Sequence, residues 1–161
     1  MIKAMTVVCT RPVIIRLSEM RKSLDRMVDH VLVHTGQNYD RSLNDVFFVD
    51  LQPRAPDHHR GVDTSSLGRT LECVLTGAEK LLLAERPDAF LVLGDPNSCV
   101  AAIMAKRTHI PACQMEADNG CFDENVPEEA NRRLIDHLAD FNLAYTEHPA
   151  WGQPQGEQAA P

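Results

Sequence analysis

Apolar residues along the chain fall into two alternating periods. Ala4–Val8 and His30–His34 (HVLVH) are short β-rich runs, and Ala89–Leu93 (AFLVL) is continuously apolar between Pro-Asp and Gly-Asp. An unbroken run of that length suits a strand covered on both faces. Between these runs the spacing becomes helical. Pro12 opens a stretch with Val13, Leu17, Met20 and Leu24 on one face. Leu67, Leu71, Val74, Ala78 and Leu81 form a second stripe, which Ser65 or Ser66 can cap and which ends before Pro87. Asn97–Arg107 predicts a helix, Ala112–Met115 a strand, residues 128–139 a last helix and Phe141–Tyr145 a last short strand. TGQNYD is turn chemistry, Leu43–Leu51 an amphipathic piece either helical or irregular, and QPRAPDHHRGVDTSS a loop. Strands alternating with helices predict an α/β fold: a Rossmann-like parallel sheet with flanking helices and right-handed crossovers. From residue 149 the chain turns to Pro, Gly, Gln and Ala without a period. Residues 1–148 are therefore expected to form one domain, and 149–161 a disordered tail.

Composition narrows the partners. The chain has 161 residues, 43% of them hydrophobic, enough for one domain with a real core. A formal net charge of −7 argues against nucleic acid or an anionic membrane surface as partner. No apolar run approaches a membrane span, and MIKAMTVVCTRP lacks the long apolar segment of a signal peptide. Cys9, Cys73, Cys99, Cys113 and Cys121 are odd in number and contain no C-x-x-C, as expected of reduced thiols in a cytoplasm. No Cys/His spacing reads as a zinc site, so no metal is expected, and His58–His59 reads as solvated loop.

Candidate chemistry sits where strands end. Asp95 follows AFLVL after Gly94, and Glu116 follows ACQM. In parallel sheets ligands bind beyond the carboxyl ends of the strands. If these two strands are neighbours, both carboxylates project from one rim, where they can move protons; the plainer role for Asp95 is to cap the next helix. Glu128/Arg132 and Glu129/Arg133 have the spacing of ordinary i,i+4 ion pairs, worth a few tenths of a kcal/mol each.

Four blocks carry a family resemblance: MTVVCTRPVIIRLS, DHVLVHTGQNYDRSLNDVFFVDL, LVLGDPNSCVAAIMAKRTHIP and MEADNGCFDENVPEEANRRLIDHLADFNLAYTEH. In this order they resemble the non-hydrolysing UDP-N-acetylglucosamine 2-epimerases. Within that family they are most similar to the branch acting on UDP-N-acetyl-6-deoxyhexoses on the way to N-acetyl-L-fucosamine of bacterial surface polysaccharides. The resemblance runs from about residue 5 to residue 148. It implies two Rossmann-like domains facing one another across a cleft, the GT-B arrangement, of which this chain covers the N-terminal half. The family's second domain supplies most uridine contacts and a histidine of the catalytic site.

The resemblance also implies a reaction: loss of the sugar C2 proton together with UDP, then re-addition after protonation of the opposite face, with no added cofactor. Asp95, Glu116 and Glu128 match the family's catalytic acids, and Arg132 its diphosphate-binding arginine. Arg11 matches a residue near the nucleotide phosphates, and Arg16 a basic residue facing the cleft. Lys3, Arg11, Arg16, Arg21 and Lys22 make the first turns locally positive, with Arg21 and Lys22 read as solvated helix face. Asp123, Glu124 and Glu129 read as solvated too. The expected ligand is a UDP-N-acetylhexosamine, and a homodimer partner or a missing C-terminal domain is expected to complete the cleft. Five positions depart from the family's pattern: Cys9 for Gly, Val13 for Glu, Pro96 for Thr, and Asp118 and Gly120 after M-E-A. Alone, the chain is expected to be inactive; the alternative is a vestigial or binding module that keeps the fold.

Overall fold

The computed structural model describes residues 1–36, 54–117, 123 and 125–144. Leu43–Leu51, Asp118, Gly120, Glu124 and the segment 149–161 lie outside the described residues, as does the side chain of Arg11. The elements run β1 (Lys3–Val8), α1 (Arg11–Arg16), α2 (Ser18–Met27), β2 (Asp29–His34), β3 (His58–His59), α3 (Leu67–Glu85) and β4 (Ala89–Leu93). A 3₁₀ turn (Asn97–Val100) then leads into α4 (Ala101–Arg107), β5 (Ala112–Ala117), α5 (Pro127–Leu138) and β6 (Phe141–Ala144).

The six strands among the described residues form one sheet in the order β3-β2-β1-β4-β5-β6, with every pairing parallel. Two apolar clusters explain why it is covered on both faces. Met5, Val7, Val31, Val33, Phe90 and Val92 meet Val74, Ala78 and Leu81 of α3 and the alanines of α4. On the opposite face Val8, Leu32 and Leu93 meet Val13, Ile14 and Leu17 of the first helical stretch. The strand order reverses between β1 and β4, and the crevice beyond their carboxyl ends is where such sheets take ligands. No helix among the described residues is long and apolar enough to cross a membrane.

Several expectations need correction. The helix opened by Pro12 is two helices, because Leu17 leaves helical geometry (φ −87°, ψ 1°) while keeping its side chain in the core. The helix predicted from Asn97 begins as a 3₁₀ turn. His58 and His59 pair with Val33 and His34 as a short edge strand, and the His59 ring stacks on His34 at 5.0 Å. Arg21 is 2% exposed, not a solvated residue of the helix face, whereas Lys22 is exposed and pairs with Glu19 as a surface residue does. Ser66 is the cap of α3, its hydroxyl accepting from the Arg69 N–H.

Candidate active site

Four elements bring charge to the crevice. Asp95 leaves the end of β4, Glu116 stands near the end of β5, and Arg16 closes α1. Because β4 and β5 are hydrogen-bonded neighbours, the two carboxylates share one rim. Arg16 Nη1 lies 2.8 Å from Glu116 Oε2 and 3.3 Å from Asp95 Oδ2. Arg132, on α5, completes the group with Nη2 3.9 Å from Asp95 Oδ2. These four residues line an open cavity of about 230 Å³.

Backbone geometry sets Glu116 in place. The pairing of β5 with β6 slips between Met115 and Ala117, and Glu116 between them has φ 61°, in the left-handed region. A side chain there costs on the order of 1–3 kcal/mol and persists only where its surroundings enforce it. The extra residue turns the acid out of the strand's alternation and onto Arg16. Only 8% of Glu116 is exposed, and burial pushes its carboxyl above the ordinary range, aided by the charge of Asp95 and opposed by Arg16 and Arg132. A carboxyl shifted this way holds a proton more readily than a free glutamate.

Asp95 is delivered by a tight passage. A Cβ on Gly94 would stand 2.5 Å from Gln114 Nε2 and 3.3 Å from Ile135 Cγ2, so the strand passes directly against β5 and α5. Cys9, where the resemblance leads one to expect glycine, is fully buried among Val8, Val13 and Ile14, so its side chain packs into the core beneath α1. Burial raises its thiol pKa.

The α5 residues divide differently from expectation. Glu128 is exposed in the first turn and does not line the cavity. Its neighbour Glu129, read from sequence as solvated, is 2% exposed and takes both Arg132 Nη1 (3.5 Å) and Arg133 Nε (3.2 Å). Asp123 is exposed, as expected, and accepts from Asn125. Sequence reasoning missed Asn131 entirely. Its Nδ2 donates to the Asp95 carbonyl (3.0 Å) and to Asn97 Oδ1 (3.1 Å), and the only signal was its place between the acids and Arg132.

A parallel sheet in this order, with a charged cavity at its switch point, is a Rossmann-like domain, and the solved structures it resembles place it as the N-terminal half of a GT-B fold. Residues 21–150 match the family described as UDP-N-acetylglucosamine 2-epimerase, and the chain belongs to that family. The structure of UDP-N-acetylglucosamine 2-epimerase from Rickettsia bellii is similar at TM-score 0.86 and 47% identity, over 92% of this chain and 40% of that one. The Methanocaldococcus jannaschii UDP-GlcNAc 2-epimerase, solved in complex with UDP-GlcNAc and UDP, gives TM-score 0.85 and 34% identity over 91% of this chain and 41% of that one. A UDP-N-acetylglucosamine 2-epimerase homolog of Methanococcus maripaludis is 35% identical over 146 residues, 90% of this chain and 41% of its own length. The chain thus spans about two fifths of the length of the relatives it matches.

Proposed function

We propose that this chain is the sugar-and-diphosphate half of a UDP-N-acetylhexosamine 2-epimerase of nucleotide-sugar synthesis for bacterial surface polysaccharides. The observation that carries this reading is the pair of carboxylates, Asp95 and Glu116, held in one cavity by Arg16 with Arg132 beside them. Arg16 and Arg132 offer guanidinium donors to a diphosphate, with Arg11 a third contact by resemblance. A carboxylate at sugar C2 takes the proton, the C–H electron pair becomes the C1–C2 double bond, and the C1–O bond breaks with its pair leaving on UDP. The arginines stabilise that leaving charge. Re-addition of UDP follows protonation of the other face of C2 by a second acid. Two crowded acids, one of them biased by burial toward its protonated form, suit that division of labour. Glu128, exposed at the start of α5, is the third candidate, reaching the sugar only in a cleft closed from the opposite side.

The opposite wall, from a second Rossmann-like domain or a second copy, would orient the sugar. A misplacement of about 1 Å can cost on the order of a hundredfold in rate. The chain alone is therefore expected to bind UDP-N-acetylglucosamine weakly and to turn it over little or not at all. Titration calorimetry on the wild type and Arg132→Ala, with NMR detection of deuterium entering C2, tests this. Binding abolished by Arg132→Ala, with no exchange, is the expected result. Robust exchange by the chain alone overturns the claim of inactivity. Absence of binding at millimolar ligand overturns the ligand and favours a scaffold that retains the fold without the site.

A further inference from the structure

We propose that Asn131 is a positioning residue that locks the two sides of the charged cavity together, and this rests on the diphosphate-binding reading above. Two structural units must meet for Asp95 and Arg132 to face one ligand: the turn after β4 and the helix α5. Ile135 of α5 packs close to Gly94, but the charged contact between the two units is loose. Arg132 Nη2 is 3.9 Å from Asp95 Oδ2, too long for a hydrogen bond, so that ion pair does not set its own geometry. The amide one residue earlier does.

Asn131 Nδ2 has two hydrogens, and each finds an acceptor on the turn: the Asp95 carbonyl at 3.0 Å and Asn97 Oδ1 at 3.1 Å. The Asn131 carbonyl is approached in turn by Cys99 Sγ at 4.0 Å. One residue of α5 therefore grips the turn at Asp95, Asn97 and Cys99. Packing anchors the far end of the turn, where Ser98, Cys99 and Val100 are buried, but the polar bonds at its start are few. Pro96 brings no N–H, and the backbone bond closing the segment runs from Cys99 N to the Pro96 carbonyl at 2.9 Å. A planar amide with two paired donors fixes both the distance and the rotation of α5 about the turn. Alanine would keep the helix and release the grip. Aspartate, of the same size, would turn acceptor oxygens toward two acceptors.

The experiment is a double-mutant cycle on ligand affinity in the full chain. UDP-N-acetylglucosamine affinity is measured for the wild type, Asn131→Ala, Arg132→Lys and the double variant, with thermal unfolding of each. Asn131→Ala is expected to weaken binding about three- to tenfold, from two released hydrogen bonds. Asn131→Asp should weaken it more, and Asn97→Ala, which removes one acceptor from the other side, should weaken it less. In the Arg132→Lys background the Asn131→Ala loss should largely vanish, because the geometry it protects serves the arginine fork. The same loss in both backgrounds, or a lowered Tm with unchanged affinity, would make Asn131 a stability residue and overturn the proposal. A ligand-free readout separates the two readings. Asn131→Ala should move the NMR resonance of the Arg132 side-chain Nε–H in the apo chain. If the wild type binds no UDP-sugar, the diphosphate reading falls, and an unmoved Arg132 resonance then overturns the positioning role as well.

Discussion

Replacing Glu116 by glutamine should tighten the binding of a UDP-sugar, although it removes a proposed catalytic acid. Arg16 Nη1 is engaged by Glu116 at 2.8 Å and by Asp95 at 3.3 Å, so a diphosphate must compete with two carboxylates for one guanidinium. It must also approach the negative charge of Glu116 itself. For unit charges about 6 Å apart, an effective dielectric constant between roughly 20 and 80 gives about 0.7–3 kcal/mol of repulsion. The cavity is open, so the lower half of that range applies, and about 1.4 kcal/mol is tenfold in affinity. The wild type should show the same effect through pH. Glu116 is already biased toward its neutral form, chiefly by burial, and a bound anion biases it further. Affinity should therefore rise as pH falls into the range where this acid takes up its proton, by at most about tenfold per unit for one proton taken up. Calorimetry in two buffers of different ionisation enthalpy measures that proton directly. UDP-N-acetylglucosamine is the right ligand, because UDP carries a terminal phosphate that titrates near pH 6 and would confuse the count. A pH-independent wild type, or a Glu116→Gln variant that binds more weakly, would refute the reasoning.

Gly94→Ala should cost about 1–3 kcal/mol in urea unfolding, since its Cβ would meet Gln114 Nε2 at 2.5 Å and Ile135 Cγ2 at 3.3 Å. Shortening Gln114 to alanine in the same chain should restore part of that loss, and an undiminished loss would show that the clash lies elsewhere. His34 is buried, and burial, with His59 and Arg21 nearby, pushes its pKa down from 6.5 to about 4. Its folded pKa lies below the unfolded one, so its contribution to stability is complete above about pH 6.5 and is lost as pH falls through about 4. Unfolding of the wild type and His34→Gln across that window should differ by up to about 3 kcal/mol in total pH dependence, and parallel curves would refute it.

The fold was legible because its signals are local. AFLVL and HVLVH are buried strands, and the stripe from Leu67 to Leu81 is a helix, for the periodic reasons that predict them. Asp95 and Glu116 share a rim because each follows an apolar run in a parallel sheet. The break at Leu17 was hidden, since one residue can leave helical geometry while its side chain stays on the apolar face. His58–His59 is a strand only through backbone pairing with β2, which no side-chain pattern records. Adjacent positions on a helix point about 100° apart. Whether Glu128 or Glu129 faces inward therefore depends on how α5 docks, which two adjacent glutamates cannot reveal. Arg21 and Asn131 were missed for a related reason: a polar residue buried by tertiary contact looks like any surface residue in the sequence.

Among the described residues, three non-glycine residues have positive φ: Arg86, His109 and Glu116. Arg86 and His109 sit just after helices, where a chain reversing direction uses that conformation at little expense. Glu116 adopts it inside a strand. Glycine would occupy the position without strain and asparagine with less of it. Mutation that favours only a sturdier scaffold would thus tend to erase this acid early, while leaving the sheet, the helices and the overall shape intact. Selection in the laboratory for heat resistance, with no demand for chemistry, should find position 116 among its first gains. A glutamate kept at a strained position is what the proposed proton transfer requires and what a scaffold alone does not.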